Sequence, residues 1–336
     1  MSDLQRQVFA KKGLPPIIES NQNTIAEENV SSASISHHLL RRRAMDYSPL
    51  QWDTFFDSKK SIKIGDDTFC VYLKGDSGPI FYLLHGGGYS GLTWACFTEI
   101  LCKEVNCRVI APDLRGHGET CCADEKDLSI ERQVEDVVKI HEQIVGDNKE
   151  IPTILVGHSM GGAIAVHVAA SNALKVVAAL CVIDVVEGSA MEALSKMRPF
   201  LNSRPQSFPS VEAAVKWCLQ TKTAKNVKAA RISMPSQIVQ DKGAYRWRID
   251  LARTEDYWVG WFKGLSRLFL SCPAPKLLVL AGVDRLDTEL TVGQMQGKFQ
   301  NTILPKVGHV VQEDSPDQLS NVISKFAIRF RICTPK

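Results

Sequence analysis

The sequence predicts an α/β protein whose mostly parallel central sheet is covered on both faces by helices, with a helical insertion late in the chain. Three observations predict it. Short, continuously apolar runs bounded by Gly and Pro recur at 79–84, 107–111, 151–156, 176–183, 276–281 and 299–304. Helical patterns lie between them at 93–104, 130–145, 160–171 and 317–330. Strands that are apolar throughout, rather than alternating, are buried on both faces, and helices between parallel strands supply the cover. The third observation is that 188–270 breaks this rhythm with helical patterns at 190–201, 211–220 and 245–268 and no clear strand.

Residues 1–45 are polar, rich in Ser, Asn and Gln, and carry the basic run Arg41-Arg42-Arg43. They read as a disordered tail, and the Arg run as a solvated linker or a localisation signal. Order begins near Tyr47, with Trp52, Phe55 and Phe56 as apolar anchors. Residues 61–73 read as a β-hairpin, because Ile62 and Ile64 alternate, Gly65-Asp66-Asp67 turns, and Phe69, Val71 and Leu73 alternate again. The expected organisation is a first core segment over 46–187, a cap or lid over 188–270 and a second core segment over 271–336. The cap holds four of the six tryptophans, Trp217, Trp247, Trp258 and Trp261, most of which are expected only to pack it onto the body.

Composition narrows the function. The 336 residues are 44% apolar and 23% charged, which is ordinary globular composition. With 40 Lys and Arg against 37 Asp and Glu, the net charge of +3 gives no argument for a nucleic-acid or membrane-surface partner. None of the ten cysteines forms a C-x-x-C pair, so zinc and thiol redox motifs are not expected. The start, MSDLQRQVFAKKG, lacks the apolar core of a secretory leader. With reduced thiols, that predicts a cytoplasmic or nuclear location. No run reaches the ~18 apolar residues of a membrane span. The richest stretch, 151–186, is interrupted by His158, His167, Asn172 and Lys175.

The chemistry concentrates in two glycine-rich segments. Gly157-His158-Ser159-Met160-Gly161 follows an apolar strand and precedes a helix. In this G-x-S-x-G elbow a nucleophilic Ser159 sits on a strained turn that closes only if its neighbours two residues away are tiny. The helix N-terminus behind it faces developing negative charge. The second segment, His85-Gly86-Gly87-Gly88, follows another strand end. There a backbone N–H of Gly87 or Gly88 would form half of an oxyanion hole, the Met160 N–H being the other donor. His85 reads as an orienting residue.

Elimination among the eight histidines selects the base. His37 and His38 lie in the tail, His141 and His167 lie in helix patterns, and His85, His117 and His158 flank glycine loops. Only His309 lies in a loop after the last strand, consistent with the chain order nucleophile, acid, histidine. Two strand ends offer the acid: Asp184, 25 residues past Ser159, and Asp284, with Asp287 close by. Spacing does not choose between them, although the later strand is the usual position.

The chain also resembles the protein phosphatase methylesterase family. The matching segments include 46–52 (DYSPLQW), 83–94 (LLHGGGYSGLTW), 113–120 (DLRGHGET) and 156–167 (VGHSMGGAIAVH). They continue through 181–191 (CVIDVVEGSAM), 247–255 (WRIDLARTE), 257–280 and 281–299, so the likeness runs from about residue 46 to near the C-terminus. It implies an α/β-hydrolase fold with a cap. It implies a serine esterase, without metal or organic cofactor, that removes the C-terminal leucine methyl ester of the protein phosphatase 2A catalytic subunit. It also implies that the acid is Asp184, with Asp284 structural, and that the triad stays misaligned until the phosphatase docks. One departure is visible: some members carry a long acidic insertion before W-R-I, whereas 239–245 is short here.

Overall fold

The computed structural model describes residues 45–282 and 286–336. Residues 1–44, with Arg41–Arg43 and nearly all of the expected tail, and residues 283–285, with Asp284, lie outside the described residues.

The chain opens with the antiparallel hairpin β1 (Ser58–Ile64) and β2 (Asp67–Lys74), closed by Gly65 at φ +61° and Asp66. Asp67 opens β2 rather than sitting in the turn, and pairs with Ile64. The first crossover runs from β3 (Ile80–Leu84) through α1 (Ala95–Glu104) to β4 (Arg108–Pro112). Next come α2 (Ile130–Val145), β5 (Thr153–His158), α3 (Met160–Ser171) and β6 (Val177–Ile183). The insertion comprises α4 (Glu187–Asn202), α5 (Val211–Gln220), α6 (Val227–Ser233), β7 (Ile238–Asp241), β8 (Ala244–Trp247), α7 (Glu255–Phe262) and α8 (Leu265–Ser271). The chain closes with β9 (Lys276–Ala281), α9 (Thr288–Met295), β10 (Gln300–Leu304), α10 (Val311–Asp314) and α11 (Pro316–Arg329).

Eight strands form one sheet in the order β1-β2-β4-β3-β5-β6-β9-β10. Pairing is antiparallel for β1/β2 and β2/β4 and parallel from β4 to β10. The central strands feed two cores by strict alternation. Leu155, Leu180, Val182 and Leu278 face the layer that holds α3 and α8. Ile154, Val156, Cys181 and Val279 face the layer of α1 and α11. That double burial is why these strands read as unbroken apolar runs. The α3 helix is apolar all round because the sheet lies on one side and α8 on the other. The topology also fixes where chemistry can sit. β3 connects outward to β4 and β5 connects the other way to β6, so the loops after β3 and β5 diverge and leave a crevice at the strand C-termini.

The insertion differs from its sequence reading. Residues 245–268 are not one helical pattern, because 238–247 form the two-stranded hairpin β7–β8. Its turn, Lys242-Gly243, has both φ angles positive, +48° and +84°, which suits a two-residue hairpin loop. The short interval 239–245 is thus the tip of a hairpin. Phe208, Val215, Cys218, Met234 and Ile238 form a small core of their own. Trp258 and Trp261 instead join the main core, and the Trp261 indole N–H donates to the Leu128 carbonyl at 2.7 Å.

Candidate active site

Ser159 links β5 to α3 at φ +53° and ψ −121°, a backbone that a non-glycine residue rarely adopts. The turn can close only because two neighbours lack side chains. A Cβ on Gly157 would lie 2.1 Å from the Gly161 carbonyl oxygen, and one on Gly161 would lie 2.3 Å from that of Leu84. The Ser159 N–H donates to the Ile183 carbonyl at 3.0 Å, which ties the elbow to the end of β6.

Asp184 is the first residue beyond β6 and also has positive φ, +51°. Its N–H bonds the Val279 carbonyl at 2.7 Å, so β9 braces the bend. The buried carboxylate is used at both oxygens. Oδ1 accepts the Ala281 N–H at 2.8 Å, and Oδ2 lies 2.6 Å from His309 Nδ1. Among the described residues, Asp184 is thus the carboxylate that reaches His309. The opposite edge of the imidazole is free for a proton from a nucleophile. Ser159 and His309 line the same cavity, of about 120 Å³. Among the described residues, however, Ser159 Oγ makes no hydrogen bond, to His309 or to any other group.

The loops around this centre are pinned by groups that the sequence reading passed over. His158 Nε2 lies 2.8 Å from the His309 carbonyl oxygen, to which it donates, so the elbow residue before Ser159 holds the loop bearing His309. The Gly308 N–H donates to Asp314 Oδ2 at 2.5 Å, while Asp314 Oδ1 accepts the Lys225 N–H at 2.7 Å. One carboxylate therefore joins the insertion to the loop bearing His309. His117 Nε2 accepts the Gly88 N–H at 2.9 Å, and its Nδ1 donates to the Arg115 carbonyl at 2.8 Å. Of the two glycines that the sequence offers as an oxyanion donor, Gly88 has its N–H committed to His117. Gly87 and Met160 keep N–H groups without a hydrogen bond among the described residues. His85 does orient its loop: Nε2 accepts the Leu114 N–H at 2.9 Å and Nδ1 donates to the Gly86 carbonyl at 2.8 Å.

Burial sets the electrostatics. It holds His85 and His158 far below their usual range and pushes His117 down to about 4, so all three are neutral braces at pH 7. Burial also pushes Glu313 up to about 7, against the bond it accepts from Thr93 Oγ1 at 2.5 Å. Among the described residues, no three His, Cys, Asp or Glu side chains converge as a metal site, and no helix is long and apolar enough to cross a membrane.

The cavity wall is largely apolar and includes Leu194, Met197, Phe200, Trp217 and Phe262. Arg204 and Trp247 also line it.

A serine on a strained strand–helix elbow, a histidine after the last strand and a mostly parallel sheet define an α/β hydrolase. The model of the Alpha/beta hydrolase family matches residues 81–322. Two solved structures share the fold. One is E-2-(acetamidomethylene)succinate hydrolase, with TM-score 0.68 and 23% identity, covering 81% of this chain and 99% of that one. The other is the thioesterase domain from the curacin biosynthetic pathway, with TM-score 0.62 and 22% identity, covering 79% and 98%. Full-length relatives are closer. A probable protein phosphatase methylesterase 1 of Caenorhabditis elegans is 60% identical over 293 residues, 87% of this chain and 80% of that protein. Protein phosphatase methylesterase 1 of Homo sapiens is 45% identical, covering 87% and 88%, and that of Schizosaccharomyces pombe is 39% identical, covering 92% and 93%. The chain belongs to the protein phosphatase methylesterase 1 family, a family of carboxylic ester hydrolases.

Proposed function

We propose that this chain hydrolyses the methyl ester on the C-terminal leucine of the protein phosphatase 2A catalytic subunit. The observation that carries the reading is the 2.6 Å bond between Asp184 and His309 beside the Ser159 elbow, on a cavity with an apolar wall suited to a leucine side chain.

In this mechanism Ser159 Oγ attacks the ester carbonyl while His309 Nε2 takes its proton, and Asp184 stabilises the resulting imidazolium. The N–H groups of Met160 and Gly87 hold the oxyanion, each worth about 10²–10³ in rate in related chemistry. Collapse of the tetrahedral intermediate breaks the bond to the methoxy oxygen, which takes the proton from His309 and leaves as methanol. Water then attacks the acyl-enzyme, giving His309 one proton. His309 returns that proton to Ser159 as the acid departs, which releases water's second proton to solvent and becomes the free carboxylate.

A methyl leaving group provides almost no binding energy, so selectivity rests on the acyl side and on the docked protein. We take 188–270 as a lid whose position matters for catalysis. The Lys225–Asp314–Gly308 connection supports this, because it joins that segment to the loop bearing His309. Ser159 Oγ lacks a bond to His309 in the free chain, which supports completion of the site by the phosphatase. The reduced cysteines suit the cytosol or nucleus, which fractionation would test. The central test incubates the chain with methylated catalytic subunit and reads loss of the ester by mass spectrometry. Loss with the wild type and none with Ser159→Ala is expected. An ester that survives with the wild type would overturn the reading.

A further inference from the structure

The cavity wall contains a cation that the mechanism above does not use. Arg204 follows α4 and lines the same cavity as Ser159 and His309. Its guanidinium lies over the Trp247 ring, with the central carbon 4.2 Å from the ring centroid. The indole N–H of Trp247 is itself anchored, donating to the Pro205 carbonyl at 2.8 Å. Among the described residues, the guanidinium donates no hydrogen bond and faces no carboxylate at ion-pair distance, and its Nε is buried without a partner. Asp250 and Tyr89 act on it only through space.

A guanidinium cannot shed its proton in a protein, so burial leaves it charged and short of acceptors. Stacking on Trp247 covers a face of the plane and leaves the N–H groups at its edge for a ligand. Leu194, Met197, Phe200 and Trp217 of the cavity wall offer no side-chain oxygen, and among the described residues no hydrogen bond joins Arg204 to the wall's Tyr89, Thr223 or Gln237. The missing acceptor is therefore one that the substrate brings, on its acyl side, since the leaving group is a methyl.

We infer that Arg204 is a specificity residue that receives main-chain carbonyl oxygen of the peptide preceding the esterified residue, so that the cavity selects peptidyl esters over simple alkanoate esters. This rests on the esterase reading proposed above and names the substrate class of that same site. The apolar walls take the side chain of the last residue, and Arg204 reads that this residue belongs to a peptide.

The test compares two methyl esters with nearly the same branched chain. Methyl 4-methylpentanoate carries no amide. N-acetyl-dialanyl-leucine methyl ester adds neutral peptide carbonyls and no acidic side chain. The ratio of their kcat/KM values is measured for the full chain and for Arg204→Gln, Arg204→Met and Arg204→Lys. Because both substrates see the same preparation, a partly unfolded variant lowers both rates and leaves the ratio alone. The wild type should prefer the peptidyl ester. Gln and Met should reduce that preference at least tenfold, and Lys should restore part of it. Variants that change the ratio less than about twofold, or a wild type with no preference, would overturn the role of Arg204 while leaving the esterase reading intact. A wild type that hydrolyses the alkanoate ester but neither the peptidyl ester nor the methylated phosphatase would overturn the substrate reading, and the role of Arg204 with it.

Discussion

Replacing Asp184 by Asn exchanges one oxygen for an amide nitrogen and leaves the shape almost unchanged. Asn also tolerates the positive φ at this position, so the fold should survive. The consequence follows from how the two carboxylate oxygens are used. Oδ1 accepts the Ala281 N–H at 2.8 Å, and Oδ2 faces His309 Nδ1 at 2.6 Å. An amide has one acceptor and one donor end. If its NH₂ turned toward Ala281, a buried backbone donor would lose its partner, at about 1–3 kcal/mol. The carbonyl therefore stays on Ala281 and the NH₂ points at His309. The imidazole must then present a lone pair at Nδ1 and carry its proton on Nε2, where it cannot take one from Ser159. In serine hydrolases, loss of the correct tautomer costs about 10⁴ in kcat. At 1.36 kcal/mol per tenfold, this is roughly 5.4 kcal/mol of transition-state stabilisation. The assay is steady-state hydrolysis of a small ester by Asp184→Asn and Asp284→Asn, with thermal melts to show that both are folded. Activity of Asp184→Asn within about tenfold of wild type, or a deeper defect in folded Asp284→Asn, would refute the argument.

Three further outcomes follow from the same geometry. Gly161→Ala puts a methyl 2.3 Å from the Leu84 carbonyl oxygen and 2.5 Å from that of His85, so soluble yield and melting temperature should fall sharply. A melting shift under about 2 °C, below ~1 kcal/mol, would contradict the close approach. His117, held down to about 4 by burial, binds a proton less readily folded than unfolded. Its contribution to stability is complete above about 6.5 and is lost as pH falls toward 4. Asp113 and Glu313, both raised to about 7, act in the opposite sense, so the comparison with wild type isolates the histidine. His117→Gln should make the slope of melting temperature against pH less positive than in the wild type between pH 4 and 6.5, and an unchanged slope would refute the assignment. Finally, kcat/KM for a short methyl-esterified peptide should fall at least about 10² below that for the methylated phosphatase, roughly 2.7 kcal/mol, because the partner completes the site. Equal values would mean that the free chain already holds a working triad.

The parts of this protein legible in its sequence are those set by local sterics and by burial period. Strand β9 and helices α2, α3 and α5 fall within the bounds that apolar runs and helical spacing predict, because each is read from contiguous residues. The elbow is equally local: Gly157 and Gly161 are required by atoms within a few residues or across one strand. The hairpin at 238–247 is hard to read from sequence because its strands are only four residues each and half exposed, and Ile238-Val239 is too short a β-branched run to stand out. What remained open depends on atoms far apart in the chain. In the sequence Asp184 and Asp284 read alike as strand ends, and it is packing that brings Asp184 to His309, 125 residues away. His117 holding Gly88, His158 holding the His309 carbonyl, and Lys225 sharing Asp314 with Gly308 likewise join segments that no spacing rule connects. Arg204 looks like an ordinary surface cation until folding lays it on Trp247 with no acceptor in reach. Backbone strain and apolar period are properties of neighbours in sequence, whereas the partner of a buried polar group is decided by which surfaces the cores of the sheet and the insertion bring together.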